Sequence, residues 1–148
     1  MKRTSLQDQP CAIAKSLDII GDWWTLLIIR DALVGLRRFG EFQRSLGAAK
    51  NILAARLKAL VAEGILVNAP ASDGSAYQEY LLTEKGRALV PVLVALSQWS
   101  SEHAVAADAH VLVPLDSATS QPLAKLELRT PAGRVLSNSE VTFPPGLV

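Results

Sequence analysis

The chain has 148 residues, of which 49% are apolar and 20% are charged, and its net charge is +1. This is the balance of an ordinary globular protein, long enough for one compact domain with an appendage. No run approaches the ~18 apolar residues of a membrane span, and polar residues interrupt the start where a signal peptide would lie, so a cytoplasmic protein without a membrane segment is expected.

The first predicted elements are two helices that follow a flexible N-terminus of residues 1–10. Apolar residues at helical spacing predict a short helix over residues 11–20, which Gly21 ends. The carboxylate of Asp22 is placed to cap a second helix, WWTLLIIRDALV. This helix is apolar on most sides, so it belongs in the core, and Gly35 ends it.

Two short helices around a glycine turn come next. The third helix covers roughly residues 38–46, with Phe39, Phe42 and Leu46 on one face, and Gly47 stops it. The fourth runs from about residue 50 to residue 63. Two short helices joined by a turn of three or four residues that contains a glycine predict a helix-turn-helix.

A hairpin, another helix and a tail complete the chain. The segments ILVNAP and YQEYLL flank the tip ASDGSA and predict a β-hairpin. Thr83 then caps a long helix, in which Pro91 is expected to produce either a kink or the local loss of one backbone hydrogen bond. Beyond about residue 108, HVLVPLD and PLAKLELRT predict strands and TPAGR a turn. The fold class is mainly α with a small β-wing (α+β): a winged helix-turn-helix in residues 11–104, with a short β-rich C-terminal extension in residues 105–148.

The fourth helix has two unlike faces. At 100° per residue, Leu53, Leu57 and Leu60 fall on one side and belong to the core. Short side chains on the opposite side let the backbone approach base edges in the major groove, while basic and amide groups reach phosphates or bases. An alanine-rich face exposed to solvent is the alternative, because alanine is the best helix former. The candidate DNA-binding residues of this helix are Lys50, Asn51, Ala54, Ala55 and Lys58.

Positive charge is concentrated around this helix. Residues 37–58 contain six basic residues and one acid, Glu41, so their charge is 6 − 1 = +5, whereas residues 104–148 carry 3 − 4 = −1. Arg56, at the edge of the leucine face, is expected either to pair with an acid such as Glu41 or to contact DNA. The arginines expected on backbone phosphates are Arg37, Arg38 and Arg44.

Four stretches resemble the HxlR-type winged helix-turn-helix regulators of bacteria: GDWWTLLIIRDAL, RRFGEFQRSLG, NILAARLKALVAEGIL and YLLTEKGRALVPVLVALSQW. They stand in the family's order and spacing, from about residue 11 to residue 99. The resemblance implies a homodimer, with the N-terminal helix and the helix after the wing at the interface. It also implies repression or activation of an adjacent gene or operon through an inverted repeat in double-stranded DNA. Two departures stand out: the wing tip has no base and carries Asp73, and Ala49 replaces the frequent Ser or Thr cap.

The resemblance also makes Cys11 a candidate sensor of quinones, aldehydes or oxidants. A small thiol packed in a dimer interface is the alternative. Trp23 and Trp24 are adjacent on one helix and cannot both point inward. One is therefore expected in the core, and the other in a dimer contact or in a pocket for an unidentified small-molecule effector. Trp99 is expected in the same kinds of contact.

No metal, cofactor or enzymatic activity is expected. Cys11, His103 and His110 are too few for a zinc site, which usually takes four ligands. The sequence has no nucleophile elbow, Gly-rich phosphate loop or carboxylate pair at a motif spacing. The rival to a DNA-binding regulator is a winged-helix protein-interaction module that has lost DNA binding, which the low net charge and the neutral-to-acidic wing favour.

Overall fold

The computed structural model of the chain describes residues 4–106, 109 and 111–145. The chain divides into two compact units, Met1–Leu89 and Val90–Val148. The first unit contains the helix-turn-helix and the hairpin, and the second contains the remaining long helix and the C-terminal extension. The candidate nucleic-acid interface lies entirely in the first unit.

The first two helices begin and end close to where the sequence predicts. Helix α1 spans Ala12–Ile20 and helix α2 spans Trp23–Leu33. Asp22 caps α2 as predicted, because its Oδ1 accepts the backbone N–H groups of Trp24 at 2.8 Å and Thr25 at 3.0 Å. Side chains on the inner face of α2 are fully buried, which confirms that this helix belongs to the core. Residues before α1 also contact it, since the Ser5 hydroxyl donates to Asp18.

The predicted helix-turn-helix is present. Helix α3 spans Phe39–Leu46 and helix α4 spans Lys50–Ala62. Gly47 ends α3 in the left-handed region at φ +64°, where a residue with a side chain would be strained. Its N–H donates to the carbonyl of Gln43, and this bond turns the chain toward α4.

The core of the first unit lies where α2, α3, α4 and the hairpin meet. Helix α2 contacts α3 and α4, and α4 in turn contacts the first hairpin strand. The rings of Phe42 and Tyr80 meet edge to face, with their centroids 6.4 Å apart, and this contact joins α3 to the hairpin. The largest fully buried side chains of this core are Ile28, Ile29, Phe42, Leu53, Leu57, Leu60, Ile65 and Leu66.

The hairpin, or wing, consists of strands β1 (Leu66–Pro70) and β2 (Gln78–Leu82). They pair antiparallel from Leu66 opposite Leu82 to Pro70 opposite Gln78, and residues 71–77 form the tip. A short helix, α5 (Glu84–Arg87), follows, and the Thr83 hydroxyl caps it by accepting the N–H of Gly86.

The expected long, kinked helix is instead two helices. Helix α5 ends at Arg87 and helix α6 spans Val90–His103. Pro91 therefore lies in the first turn of α6. The missing N–H of a proline costs nothing there, because the first-turn amides have no acceptor within the helix. The prediction of a kink inside one helix was wrong for this reason.

The C-terminal extension has less regular structure than the sequence predicts. Its regular strands, among the residues described, are β3 (Leu128–Arg129) and β4 (Val135–Leu136), with a 3₁₀ turn over Asn138–Glu140. The TPAGR turn is confirmed, since the N–H of Thr130 donates to the carbonyl of Arg134. Of the predicted strand HVLVPLD, His110 lies outside the described residues, and Leu115 makes only an isolated bridge. Most side chains here are exposed, so little burial is available to stabilise longer strands.

Candidate nucleic-acid interface

Helix α4 separates its buried and exposed residues as the helical period predicts. Leu53, Leu57 and Leu60 are buried in the core. The opposite face is exposed and carries short or basic side chains, so another surface can approach the α4 backbone closely. The exposed residues on or beside this face include the five predicted to face DNA: Lys50, Asn51, Ala54, Ala55 and Lys58.

The amino end of α4 has no side-chain cap. Ala49 occupies the N-cap position in an extended conformation, and among the residues that the structure describes no side chain caps this end. These amides also lack acceptors within the helix, so they and the helix dipole favour an anion at this end. The uncapped end expected from Ala49 is therefore confirmed.

Glu41 and Arg56 have partners other than each other. Arg56 Nη1 lies 3.3 Å from Oδ2 of Asp22, which already caps α2. The Glu41 carboxylate instead accepts the backbone N–H groups of Arg37 and Arg38, at 2.8 and 2.9 Å. These bonds hold the pKa of Glu41 below its ordinary value. The suggested pairing of Arg56 with Glu41 was wrong, because the Glu41 carboxylate accepts backbone N–H groups at the start of α3.

Arg37 and Arg38 face two acids of the wing. Nη2 of Arg38 lies 2.5 Å from Oδ2 of Asp73 and 3.9 Å from Oε1 of Glu79. Nη1 of Arg37 lies 3.6 Å from Oε2 of Glu79. The ring of Tyr77 lies under the Arg38 guanidinium, 5.4 Å from it, in a cation–π contact. These five residues form what we call the wing clamp, and its two positive and two negative charges cancel.

The two acids of the wing clamp are held in different ways. Asp73, on the exposed tip, accepts the N–H of Ser75, and its side chain is 55% exposed. The hydrogen bond from Arg38 holds the pKa of Asp73 well below its usual range. Glu79 is buried, with its side chain 5% exposed, and accepts both the N–H and the hydroxyl of Ser72. Those bonds lower the pKa of Glu79, and the flanking guanidinium groups lower it further.

The clamp changes which positive charges are available to an anion. Of the six basic residues between positions 37 and 58, Arg37, Arg38 and Arg56 form ion pairs. Arg44 donates only to the carbonyl of Gly40, and within the described ranges no carboxylate forms an ion pair with it. Lys50 and Lys58 likewise have no ion-pair partner there. The positive charge without an ion-pair partner among the described residues thus lies on α4 and on the last turn of α3.

The residues predicted for sensing and dimer contacts are spread over both units. Cys11 is half-buried at the N-cap position of α1. Trp24 is half-buried while Trp23 is 87% exposed, so only one of the pair points inward, as predicted. In the second unit, Trp99 is exposed and its ring lies 6.1 Å from that of His103.

Small cavities occur in each unit. In the first, a cavity of about 140 Å³ lies beside α1 and α5, and neither Trp23 nor Trp24 lines it. Its lining residues are Ser16, Ile19, Ile20, Ile65, Lys85 and Leu89. In the second unit, Trp99 lines a cavity of about 190 Å³ with Gln98 and Lys125.

Among the described residues, no helix is both long and apolar enough to span a membrane.

Comparison with known proteins points to one class of regulator. A family model described as HxlR-like helix-turn-helix matches residues 19–108. An uncharacterized HTH-type transcriptional regulator of Mycobacterium tuberculosis is 41% identical over 92 residues, which cover 62% of this chain and 58% of that protein. The chain thus spans less than two thirds of the mycobacterial relative. YvaP of Bacillus subtilis, also an uncharacterized HTH-type regulator, is 36% identical over 60% of this chain and 82% of its own.

Solved structures show the same architecture. PA1607, described as a candidate transcription factor, superposes with a TM-score of 0.88 at 47% identity, over 96% of this chain and 99% of its own. The redox regulator HypR in its reduced form superposes with a TM-score of 0.57 at 29% identity, over 62% of this chain and 92% of its own. The winged helix-turn-helix predicted from the sequence is confirmed by these neighbours and by the order of its elements.

Proposed function

This chain belongs to the HxlR-like helix-turn-helix family, and from that membership we propose that it is a bacterial, DNA-binding transcriptional regulator. It acts as a homodimer on an inverted-repeat operator in double-stranded DNA, in the cytoplasm where the chromosome lies. The observation that carries the proposal is the exposed face of α4. It combines short side chains with two lysines that form no ion pair within the described part of the chain.

The residues of this face divide into two roles. Asn51, Ala54 and Ala55 face the base edges of the major groove, where an amide and small apolar groups make specific contacts. Lys50 and Lys58 bind the flanking phosphates, which supply most of the affinity but little sequence information. Arg44 of α3 contacts the phosphate backbone that this helix crosses. Arg37 and Arg38 lie at the start of α3, beside the same backbone, and the two acids of the wing clamp pair with them.

Exposed apolar side chains support the homodimer. Ile13 and Leu17 of α1 and Trp23 of α2 are exposed in the first unit, and Leu96 and Trp99 of α6 are exposed in the second. Side chains of this kind on three helices are what a symmetric interface would bury. Two-fold symmetry then requires half-sites about one helical turn of DNA apart, or a multiple of it.

A signal enters through Cys11 or through a small apolar effector. Cys11 stands at the N-cap of α1, within the proposed interface, so its oxidation or alkylation would change the spacing of the two α4 helices. The similarity to a redox regulator supports this part of the proposal. If Cys11 is the sensor, treatment with a quinone or an oxidant changes DNA binding by the native protein and leaves a Cys11→Ser variant unaffected. Equal responses of the two proteins would instead favour the effector.

The DNA-binding test compares a labelled duplex from upstream of the protein's own gene with an unrelated duplex. A specific regulator prefers its operator by about a thousandfold or more. Replacing Lys50 and Lys58 by alanine flattens the plot of log affinity against log salt by about 0.9 for each lost phosphate contact. The matched control, Lys125→Ala, removes a lysine of the second unit that pairs with Glu102, and leaves the slope unchanged.

Weak binding that is equal on both duplexes and insensitive to Lys50 and Lys58 would contradict this function. The alternative, a winged-helix module that binds a protein partner, would then be favoured, since the neutral wing clamp is the feature that supports it. In that case, a partner captured by pull-down would bind the doubly substituted protein as well as it binds the native one.

A further inference from the structure

The wing clamp places a carboxylate where a phosphate would bind Arg38. A guanidinium presents its N–H groups as a planar fork that binds a carboxylate and a phosphate in the same way. Nη2 of that fork lies 2.5 Å from Asp73. We propose that Asp73 withholds Arg38 from the DNA backbone, and so sets the affinity of the protein for DNA and the salt dependence of its binding. This inference rests on the proposed DNA-binding function.

The two arginines differ in how easily they can be released. Arg37 pairs with Glu79, whose side chain is 5% exposed, and losing that pair would remove a counter-charge from a buried carboxylate. The side chains of Arg38 and Asp73 are 31% and 55% exposed, so water can solvate both groups after they separate. Arg38 is therefore the member of the clamp that a phosphate can engage without leaving a buried charge unpaired.

The rest of the clamp holds Arg38 in place when Asp73 no longer binds it. The ring of Tyr77 supports the guanidinium from below, at 5.4 Å, and Glu79 still attracts it from 3.9 Å. A released Arg38 thus stays at the junction between α3 and the wing. Arg38 lies at the start of α3, the helix that precedes α4. A released Arg38 is therefore close to the DNA backbone that these two helices would contact.

Asp73→Asn tests the idea with little change in shape. The amide oxygen can still accept the N–H of Ser75, so the turn at the tip is kept while the negative charge is lost. Arg38 then gains a phosphate contact, which steepens the salt slope by about 0.9. Because a slope of that size is worth about 3.5-fold in affinity between about 50 and about 200 mM salt, the gain over the native protein is about 3.5-fold larger at the lower concentration.

The experiment measures binding of a labelled, mixed-sequence duplex by fluorescence anisotropy across this salt range. It compares the native protein with Asp73→Asn, with the double variant Arg38→Ala/Asp73→Asn, and with Glu84→Gln. Glu84→Gln changes the net charge equally on α5, outside the clamp, and leaves the salt slope unchanged. Asp73→Ala, which also loses the turn, gives the same steepening as Asp73→Asn, because charge and not tip geometry controls Arg38.

The outcomes separate this inference from the proposed function. The expected result is a steeper slope for Asp73→Asn that returns to the native value in the double variant. A steepening that persists without Arg38 would show that only repulsion by an acid had been removed, and it would overturn the inference. Native-like binding by Asp73→Asn would overturn it as well, while the proposed function stands as long as Lys50 and Lys58 still control binding. If neither the native protein nor Asp73→Asn binds DNA, both proposals fail.

Discussion

Replacing Gly86 by alanine places a methyl group where α5 touches the root of the wing. Gly86 is buried, and a Cβ built there comes closer to the backbone carbonyl oxygen of Ile65 than side chains approach in folded proteins. It also lies 2.8 Å from Cδ2 of Leu82. The leucine methyl can rotate away, but the carbonyl of Ile65 is fixed because it accepts the N–H of Thr83 at 3.1 Å. Helix α5 must therefore shift away from Ile65, the residue that precedes β1.

The magnitude follows from two opposing terms. Overpacking in a well-packed region costs about 1–3 kcal/mol, and a clash with backbone belongs at about 3 kcal/mol. Alanine is better than glycine inside a helix by about 1 kcal/mol. The net expectation for Gly86→Ala is a loss of about 2 kcal/mol in the free energy of unfolding.

Gly40→Ala is the matched control. Gly40 lies in α3, is exposed and has no heavy atom within 4 Å of a built Cβ. Only the helix-propensity term applies, so this variant gains up to about 1 kcal/mol. Identical substitutions therefore change the stability in opposite directions.

Urea unfolding at one fixed protein concentration measures both variants, since the proposed dimer would make the midpoint depend on concentration. With an m-value of about 2 kcal/mol/M, Gly86→Ala lowers the midpoint by about 1 M and Gly40→Ala raises it by up to about 0.5 M. A Gly86→Ala protein at least as stable as the native one would refute the close packing of α5 on the wing root.

Ala49→Ser supplies the cap that α4 lacks and should add about 1 kcal/mol to the free energy of unfolding in urea. DNA affinity should fall if the first-turn amides bind a phosphate. An unchanged urea midpoint would contradict the expected gain from the cap. The free energy of unfolding should also stay level from about pH 7 to about pH 5 and fall below about pH 4.5. A carboxyl group whose pKa is lowered on folding contributes stability above its ordinary pKa. That stability is lost as the pH falls toward the pKa of the folded state. The clamp follows this sign, because the bond from Arg38 lowers the pKa of Asp73 and the bonds from Ser72 lower that of Glu79. Asp73→Asn should therefore make the acid loss shallower in urea midpoints measured against pH, and an unchanged acid profile would argue against the pair in solution.

Local chemistry made much of the fold and part of the site predictable. Helical spacing, the carboxylate of Asp22 and the left-handed turn at Gly47 act over a few residues, and each defines an element where the structure has one. The division of α4 into a leucine face and a short, basic face follows from the helical period alone. The same kind of argument did not separate α5 from α6, because a proline is compatible both with a kink and with a first turn.

Which charges remain available was decided only by the tertiary structure. Arg56 and Asp22 are 34 positions apart in the chain, and Arg38 and Asp73 are 35 apart, so no local pattern predicts that either pair meets. In the sequence, Asp73 stood out only as a departure of the wing tip from the family pattern. In the fold it is a partner of Arg38. The sequence determines how many charges the chain carries and on which face of a helix they lie. Packing decides which are paired, because ion pairing depends on distances of a few ångströms between elements that the chain brings together from far apart.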